Sequence, residues 1–221
     1  VFGWFASVAA AAPQVWTGLE ARVPLVAGHP WLPTHLRWIA ESRYDVDDPR
    51  WTFALLRGGL GWTPTRWFLL HVNAGQVLER GDDGAFVPHA RVELEPNLRT
   101  QVGGLTLNAR TRADLRWFPG DDTRSRIREQ LRANWILPGQ RFGPYASEEL
   151  FVEIWRSDGR PVPTLTENRT ALGLTFTITD SWRVDAAGMA RWRPGEGVSP
   201  VLLLTTVLTP DIEPVYDAGG G

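Results

Sequence analysis

Leu105-Thr-Leu-Asn-Ala-Arg-Thr-Arg-Ala-Asp-Leu-Arg-Trp117, then Phe-Pro-Gly-Asp-Asp, then Thr123-Arg-Ser-Arg-Ile-Arg-Glu-Gln-Leu-Arg-Ala-Asn-Trp135, is the stretch that decides the fold class. Leu105, Leu107, Ala109, Thr111, Ala113, Leu115 and Trp117 form one alternate series, and Thr106, Asn108, Arg110, Arg112, Asp114 and Arg116 form the other. Beyond the turn, Ser125, Ile127, Leu131, Ala133 and Trp135 oppose Arg124, Arg126, Arg128, Gln130, Arg132 and Asn134. Successive side chains of a strand point to opposite faces, so this is a hairpin with one apolar face and one face dense in arginine. Which face meets water is left open by the hairpin alone.

The same alternation recurs outward in both directions. Val15, Thr17, Leu19, Ala21 and Val23 oppose Trp16, Glu20 and Arg22, and Leu36, Trp38, Ala40, Ser42 and Tyr44 oppose His35, Arg37, Glu41 and Arg43. Trp51 to Trp62, a Thr63-Pro64-Thr65 turn, and Arg66 to Val77 read as a further hairpin. The runs His89 to Thr100, Tyr145 to Trp155, Thr166 to Thr179, Trp182 to Trp192 and Pro200 to Thr209 follow, with Asp180-Ser181 as a two-residue turn. A second set of connections is longer and more charged: Asp45 to Pro49, Glu79 to Gly84, Gly120 to Asp122, Ser157 to Pro161 and Arg193 to Gly197. About eleven strands are visible. Bacterial single-chain membrane barrels close with an even number, so twelve is the expected count and ten the alternative.

Composition bounds the function classes. The 221 residues show no compositional break and fit one domain. A net charge of −2 gives no reason to expect nucleic acid as a partner. All 23 basic residues are Arg, the cation that pairs bidentately with carboxylates and tolerates burial. There is no Cys, hence neither a disulfide framework nor a thiolate metal site, and the four His lack metal-ligand spacing. The mean hydropathy of −0.20 and the absence of a long apolar run argue against membrane helices, a test that an alternating membrane strand escapes. Residues 1–12, Val-Phe-Gly-Trp-Phe-Ala-Ser-Val-Ala-Ala-Ala-Ala, read as the back half of a signal peptide with an Ala-x-Ala site, without its basic start. Residues 13–210 are then the barrel, and 211–221, rich in Gly and Pro, a flexible tail.

Three features turn the apolar face toward lipid and not toward a core. That face is thin in packing mass, with much Ala, Thr, Leu and Val. Trp16, Trp38, Trp62, Trp67, Trp117, Trp135, Trp155, Trp182 and Trp192 sit at strand ends, as interfacial girdles require. The other face mixes Arg with Glu and Asp as an enclosed, paired network would. The expected fold is therefore an all-β, transmembrane, antiparallel up-and-down β-barrel in a bacterial outer membrane, with the charged loops outside the cell and the last strand ending in the periplasm. Glu129 and Glu148 fall on the apolar series and count against this, unless a β-bulge shifts the phase or they lie near the interface.

The order of motifs resembles the domain of unknown function 2490 family of bacterial outer-membrane barrels. The resemblance runs from about Gln14 to Thr209, on Trp16, Tyr44, Arg57, His89-x-Arg91-x-Glu93, Arg110-Thr-Arg112 with Arg116, Arg126-Ile-Arg128, Ser147-Glu-Glu149-Leu-Phe151 and Asn168-Arg169 followed by Gly173. It implies the fold and the outer-membrane location, and no activity.

Catalysis by a Ser–His pair would need Ser147 near His89, which local sequence does not support, so no enzyme, catalytic residue, cofactor or metal is expected. Arginine outnumbers acid on the polar face, most locally between Arg110 and Arg132. Rings of Arg select anions. The candidate anion-binding residues are Arg91, Arg110, Arg112, Arg116, Arg126, Arg128, Arg132 and Arg169, in a narrow pore or binding barrel for small anionic solutes or lipid headgroups. The alternatives are a closed, structural or partner-binding barrel whose lumen is filled by paired side chains, and a soluble β-barrel or sandwich binder.

Overall fold

The period-two pattern is realised as a ring of strands joined by hairpins, seen in a computed structural model that describes residues 13–25, 32–81, 83–120, 122–137 and 139–209. The strands are β1 Gln14–Pro24, β2 His35–Asp45, β3 Arg50–Thr65, β4 Phe68–Arg80, β5 Phe86–Val102, β6 Leu105–Trp117, β7 Thr123–Trp135, β8 Phe142–Arg156, β9 Thr164–Thr179, β10 Trp182–Arg193 and β11 Gly197–Leu208. Each pairs antiparallel with its sequence neighbours, and β1 closes the ring on β11. The leader read at residues 1–12 and the tail at 211–221 lie outside the described residues.

The barrel therefore has eleven strands among the described residues, not the twelve expected. In an up-and-down ring an odd count makes the first and last strands run the same way. The seam is accordingly parallel, from Gln14↔Val201 to Ala21↔Leu208. The even-number rule presumes a chain that returns to the side it started from, and this one does not: β1 begins at one rim and β11 ends at the other.

The two rims differ as the sequence suggests, though not uniformly. All five charged connections share one rim, termed here the loop rim. The opposite turn rim carries the two-residue links Arg66-Trp67, Gly103-Gly104 and Asp180-Ser181. It also carries the longest connection, between Pro24 and His35. The turn expected at Thr63-Pro64-Thr65 moves to Arg66-Trp67. Thr63 to Thr65 instead form a bulge at the end of β3, where the ladder slips between Trp62 and Thr65 and Pro64 needs no N–H partner.

The polarity of the wall is inverted relative to a water-soluble barrel. Leu56 and Leu172, at mid-height and facing out, are 60% and 67% exposed, whereas His35, Glu93 and Asp114 face in and are 1% exposed or less. Indoles ring the outside at both rims: Trp38, Trp67, Trp135 and Trp182 toward the turns, and Trp51, Trp117, Trp155 and Trp192 toward the loops. Trp16 is a correction. It lies on the polar series and is buried in the lumen, so it belongs to no girdle. Glu129 and Glu148 stay on the outer face near the middle of β7 and β8, with no phase shift beside them. Each is capped by wall neighbours: Thr111 donates to Glu129 at 2.8 Å, and Asn168 and Thr170 donate to Glu148, both at 2.6 Å.

Small residues decide how closely the inner side chains approach. A Cβ on Gly61 would lie 2.1 Å from Nε2 of His35, so the ring occupies the place a side chain would take. Gly61→Ala is expected to cost about 1–3 kcal/mol through overpacking, read as a lower denaturant midpoint. Gly188→Ala, where an added Cβ meets nothing within 4 Å, is the control expected to leave the midpoint unchanged.

Candidate functional site

Arginines from six or more strands converge on the lumen because inward positions repeat every second residue around a closed ring. Their partners come from neighbouring strands. Near the loop rim, Glu93 meets Arg57 and Arg91, the latter at 3.1 Å. Asp114 meets Arg116, Arg126 and Arg128 at 3.1, 3.0 and 3.1 Å. Glu153 takes Arg116 at 2.9 Å and Arg156 at 2.6 Å, and Glu167 takes Arg169 and Arg193. With Phe53, Leu55, Val77 and Phe151 these side chains pack the loop-rim half of the barrel. His89, stacked on Phe118 with ring centroids 4.4 Å apart, belongs to this half.

At the loop rim itself, side-chain hydrogen bonds from Arg124 and from Arg156 hold the carboxyls of Asp122 and Asp158, respectively, below the ordinary aspartate range.

The other half is hollow. A cavity of about 850 Å³ opens at the turn rim and reaches down to Trp16, Arg43, Arg169 and Met189. Glu20 binds Arg22 and Arg37 there, Glu95 binds Arg37 and Arg112, Glu149 binds Arg110 and Arg169, and Asp185 binds Arg132 at 2.9 Å. Beside them, His35 and His71 share a hydrogen bond between their Nε2 atoms at 3.0 Å, both fully buried. Arg37 donates to Nδ1 of His71 at 3.1 Å. Nε2 of His71 then carries the proton and donates to His35, whose Nδ1–H reaches Oγ1 of Thr34 at 2.9 Å.

Sharing is the rule throughout: one carboxylate serves two or three guanidinium groups. The cavity wall still holds twelve arginines (22, 37, 43, 57, 66, 99, 110, 112, 128, 132, 169, 183) against six carboxylates (20, 41, 95, 149, 180, 185), and three of those arginines, 57, 128 and 169, also pair with Glu93, Asp114 and Glu167 of the packed half. Arg22 on β1 and Arg183 on β10 stand within electrostatic reach of Arg99 on β5 near the open end. The guanidinium of Arg43 lies 3.9 Å from the ring centroids of both Trp16 and Phe53. Among the described residues it makes no ion pair and no hydrogen bond.

Of the eight candidate arginines, Arg110, Arg112, Arg128, Arg132 and Arg169 line the cavity, whereas Arg91, Arg116 and Arg126 are locked in the packed half. The local excess between Arg110 and Arg132 is neutralised from outside the hairpin, by Glu95 of β5, Glu149 and Glu153 of β8 and Asp185 of β10. Among the described residues the cavity arginines in no ion pair are Arg43, Arg66 and Arg99, none of them among the eight. The signal for Arg43 was available as an aromatic, Trp16, standing on the polar series of the adjacent strand. Ser147 lines the cavity while His89 lies in the packed half, so the two are not brought together.

Among the described residues no group of three or more His, Asp or Glu is placed to hold a metal ion. No curated protein and no solved structure matches the chain. A family model matches residues 13–198, nearly the whole barrel, and by that match the chain belongs to the family described as protein of unknown function DUF2490.

Proposed function

We propose that this chain is an outer-membrane β-barrel that binds small anionic solutes in a vestibule open at one rim and does not conduct them. It is read as a binding protein and not an enzyme. The observation that carries the reading is the inside-out wall: apolar side chains and two indole girdles outside, a cationic cavity inside. Lipid accepts that outer face without cost, and water does not. The charged loops suit the cell exterior and the short turns the periplasm, so the vestibule opens to the periplasm. The ion-paired half toward the loop rim favours binding over conduction.

The protein is expected to fractionate with outer membranes, to migrate heat-modifiably on gels, and to bind inorganic phosphate in calorimetry without giving conductance in planar bilayers. Steady conductance whose ion selectivity changes in Arg112→Glu or Arg128→Glu would replace this reading with a pore. Extraction without detergent would remove both.

The same packed half supports a second reading, a closed barrel that acts through its charged loops. Trimming Glu79 to Gly84 would then abolish partner capture while leaving the barrel folded.

A further inference from the structure

The vestibule wall carries an apolar cluster on one part of its circumference only. From β2 to β7 it is arginine and carboxylate. Across β8 to β11 and β1 the charged side chains of Glu20, Arg22, Glu149, Arg169, Arg183 and Asp185 are joined by an apolar cluster containing Trp16, Tyr145, Ala171, Met189 and Val201, with Leu203 packed against it. Apart from Val201, these residues also line the cavity. A hydrated inorganic anion gains nothing from such a cluster, whereas an apolar chain laid along it is stabilised by its removal from water. At the foot of that wall stands Arg43, fixed between two aromatic rings and in no ion pair, with Glu41, Glu79 and Glu167 acting on it only from beyond contact. A partly buried guanidinium with no carboxylate in contact gains from an anion placed directly against it.

A second apolar feature meets this wall from outside. β1 joins β11 only from Gln14↔Val201 onward, whereas Gly197 to Pro200 continue toward the loop rim paired, among the described residues, with β10 alone. There the outer surface forms an apolar groove with Val15, Val46, Val198, Pro200 and Leu202 in its lining. Met189, a flexible side chain, lines both the groove and the vestibule and stands between the two beside Val201.

We propose that the ligand is an acyl-chain anion, its carboxylate or phosphate head held by Arg43 and its chain running along the apolar wall, past Met189 and into the seam groove. This rests on the anion-binding reading and narrows it. A free fatty acid and an anionic phospholipid share the chemistry.

Full-length protein in zwitterionic nanodiscs would be irradiated with diazirine-bearing palmitate or, in a separate arm, diazirine-bearing phosphatidic acid, and the labelled positions mapped by mass spectrometry. Label is expected at Met189, Val201 and Leu203, competed by unlabelled palmitate. It should fall about tenfold in Arg43→Gln, the loss of one charge-assisted hydrogen-bonding group, and recover in Arg43→Lys. Met189→Trp, which fills the passage, should remove label from Val198 and Pro200. Interior label from the free acid alone assigns a fatty acid, and from the phospholipid alone a lipid headgroup. Label confined to outward belt positions such as Leu56 and Leu172, or indifferent to Arg43→Gln, overturns the proposal. If inorganic phosphate or butyrate still binds in calorimetry, only the acyl chain is refuted; if neither binds, the anion-binding reading falls with it.

Discussion

Asp114→Asn is expected to lower the stability of the barrel by about 3–5 kcal/mol, the cost of removing one partner from a buried ion network. Three guanidinium groups, from Arg116, Arg126 and Arg128, close on this one carboxylate, which is 1% exposed. An amide keeps the shape and offers one acceptor oxygen without charge, so three cations lose their common counter-ion and repel one another at about 3 Å from where it stood. Refolding into lipid vesicles against urea, read by the heat-modifiable gel shift, measures the loss. Asp158→Asn is the control: its partners Arg156 and Arg160 are at the loop rim, where solvent screens the charge. A loss of less than about 1 kcal/mol for Asp114→Asn would mean that water reaches the packed half and that it is not closed.

The second large effect lies on the outer face. Leu56→Arg and Leu172→Arg place a guanidinium at mid-height on the apolar belt, and in a bilayer each should cost about 2–4 kcal/mol, falling toward zero for the same change near a rim. On a water-facing surface the same substitutions stay within about 0.5 kcal/mol. The depth profile is therefore the measurement: flat and near zero in vesicles, it rejects the membrane reading; peaked at mid-height, it supports it. Glu129→Leu and Glu148→Leu run the other way and should stabilise, because each removes a carboxylate that only Thr or Asn hydroxyl and amide groups satisfy on that belt.

Much of the candidate site was legible. The alternation between Leu105 and Trp135 assigned every inward and outward position of β6 and β7 as the structure has them, since a strand offers each residue one of two faces. It did not show which inward arginines are already spoken for. Arg110 finds Glu149 39 residues on, and Arg37 finds Glu95 58 residues on, so their pairing depends on which strands become neighbours and in what register. Arg43 reads in sequence as one more member of the polar series; Trp16 on that same series was the one hint, and the register that sets Arg43 between the rings of Trp16 and Phe53 came only with the strands beside it.

The sequence by itself determined the all-β class, the hairpin order and the two-faced wall, because period-two patterning acts residue by residue. Tertiary structure alone decided the odd strand count with its parallel seam, the division of the lumen into a packed half and an open half, and the excess charge that remains there. Those depend on closing the ring. Closure brings the first strand against the last and sets carboxylates from distant strands among the arginines, and no local pattern encodes either contact.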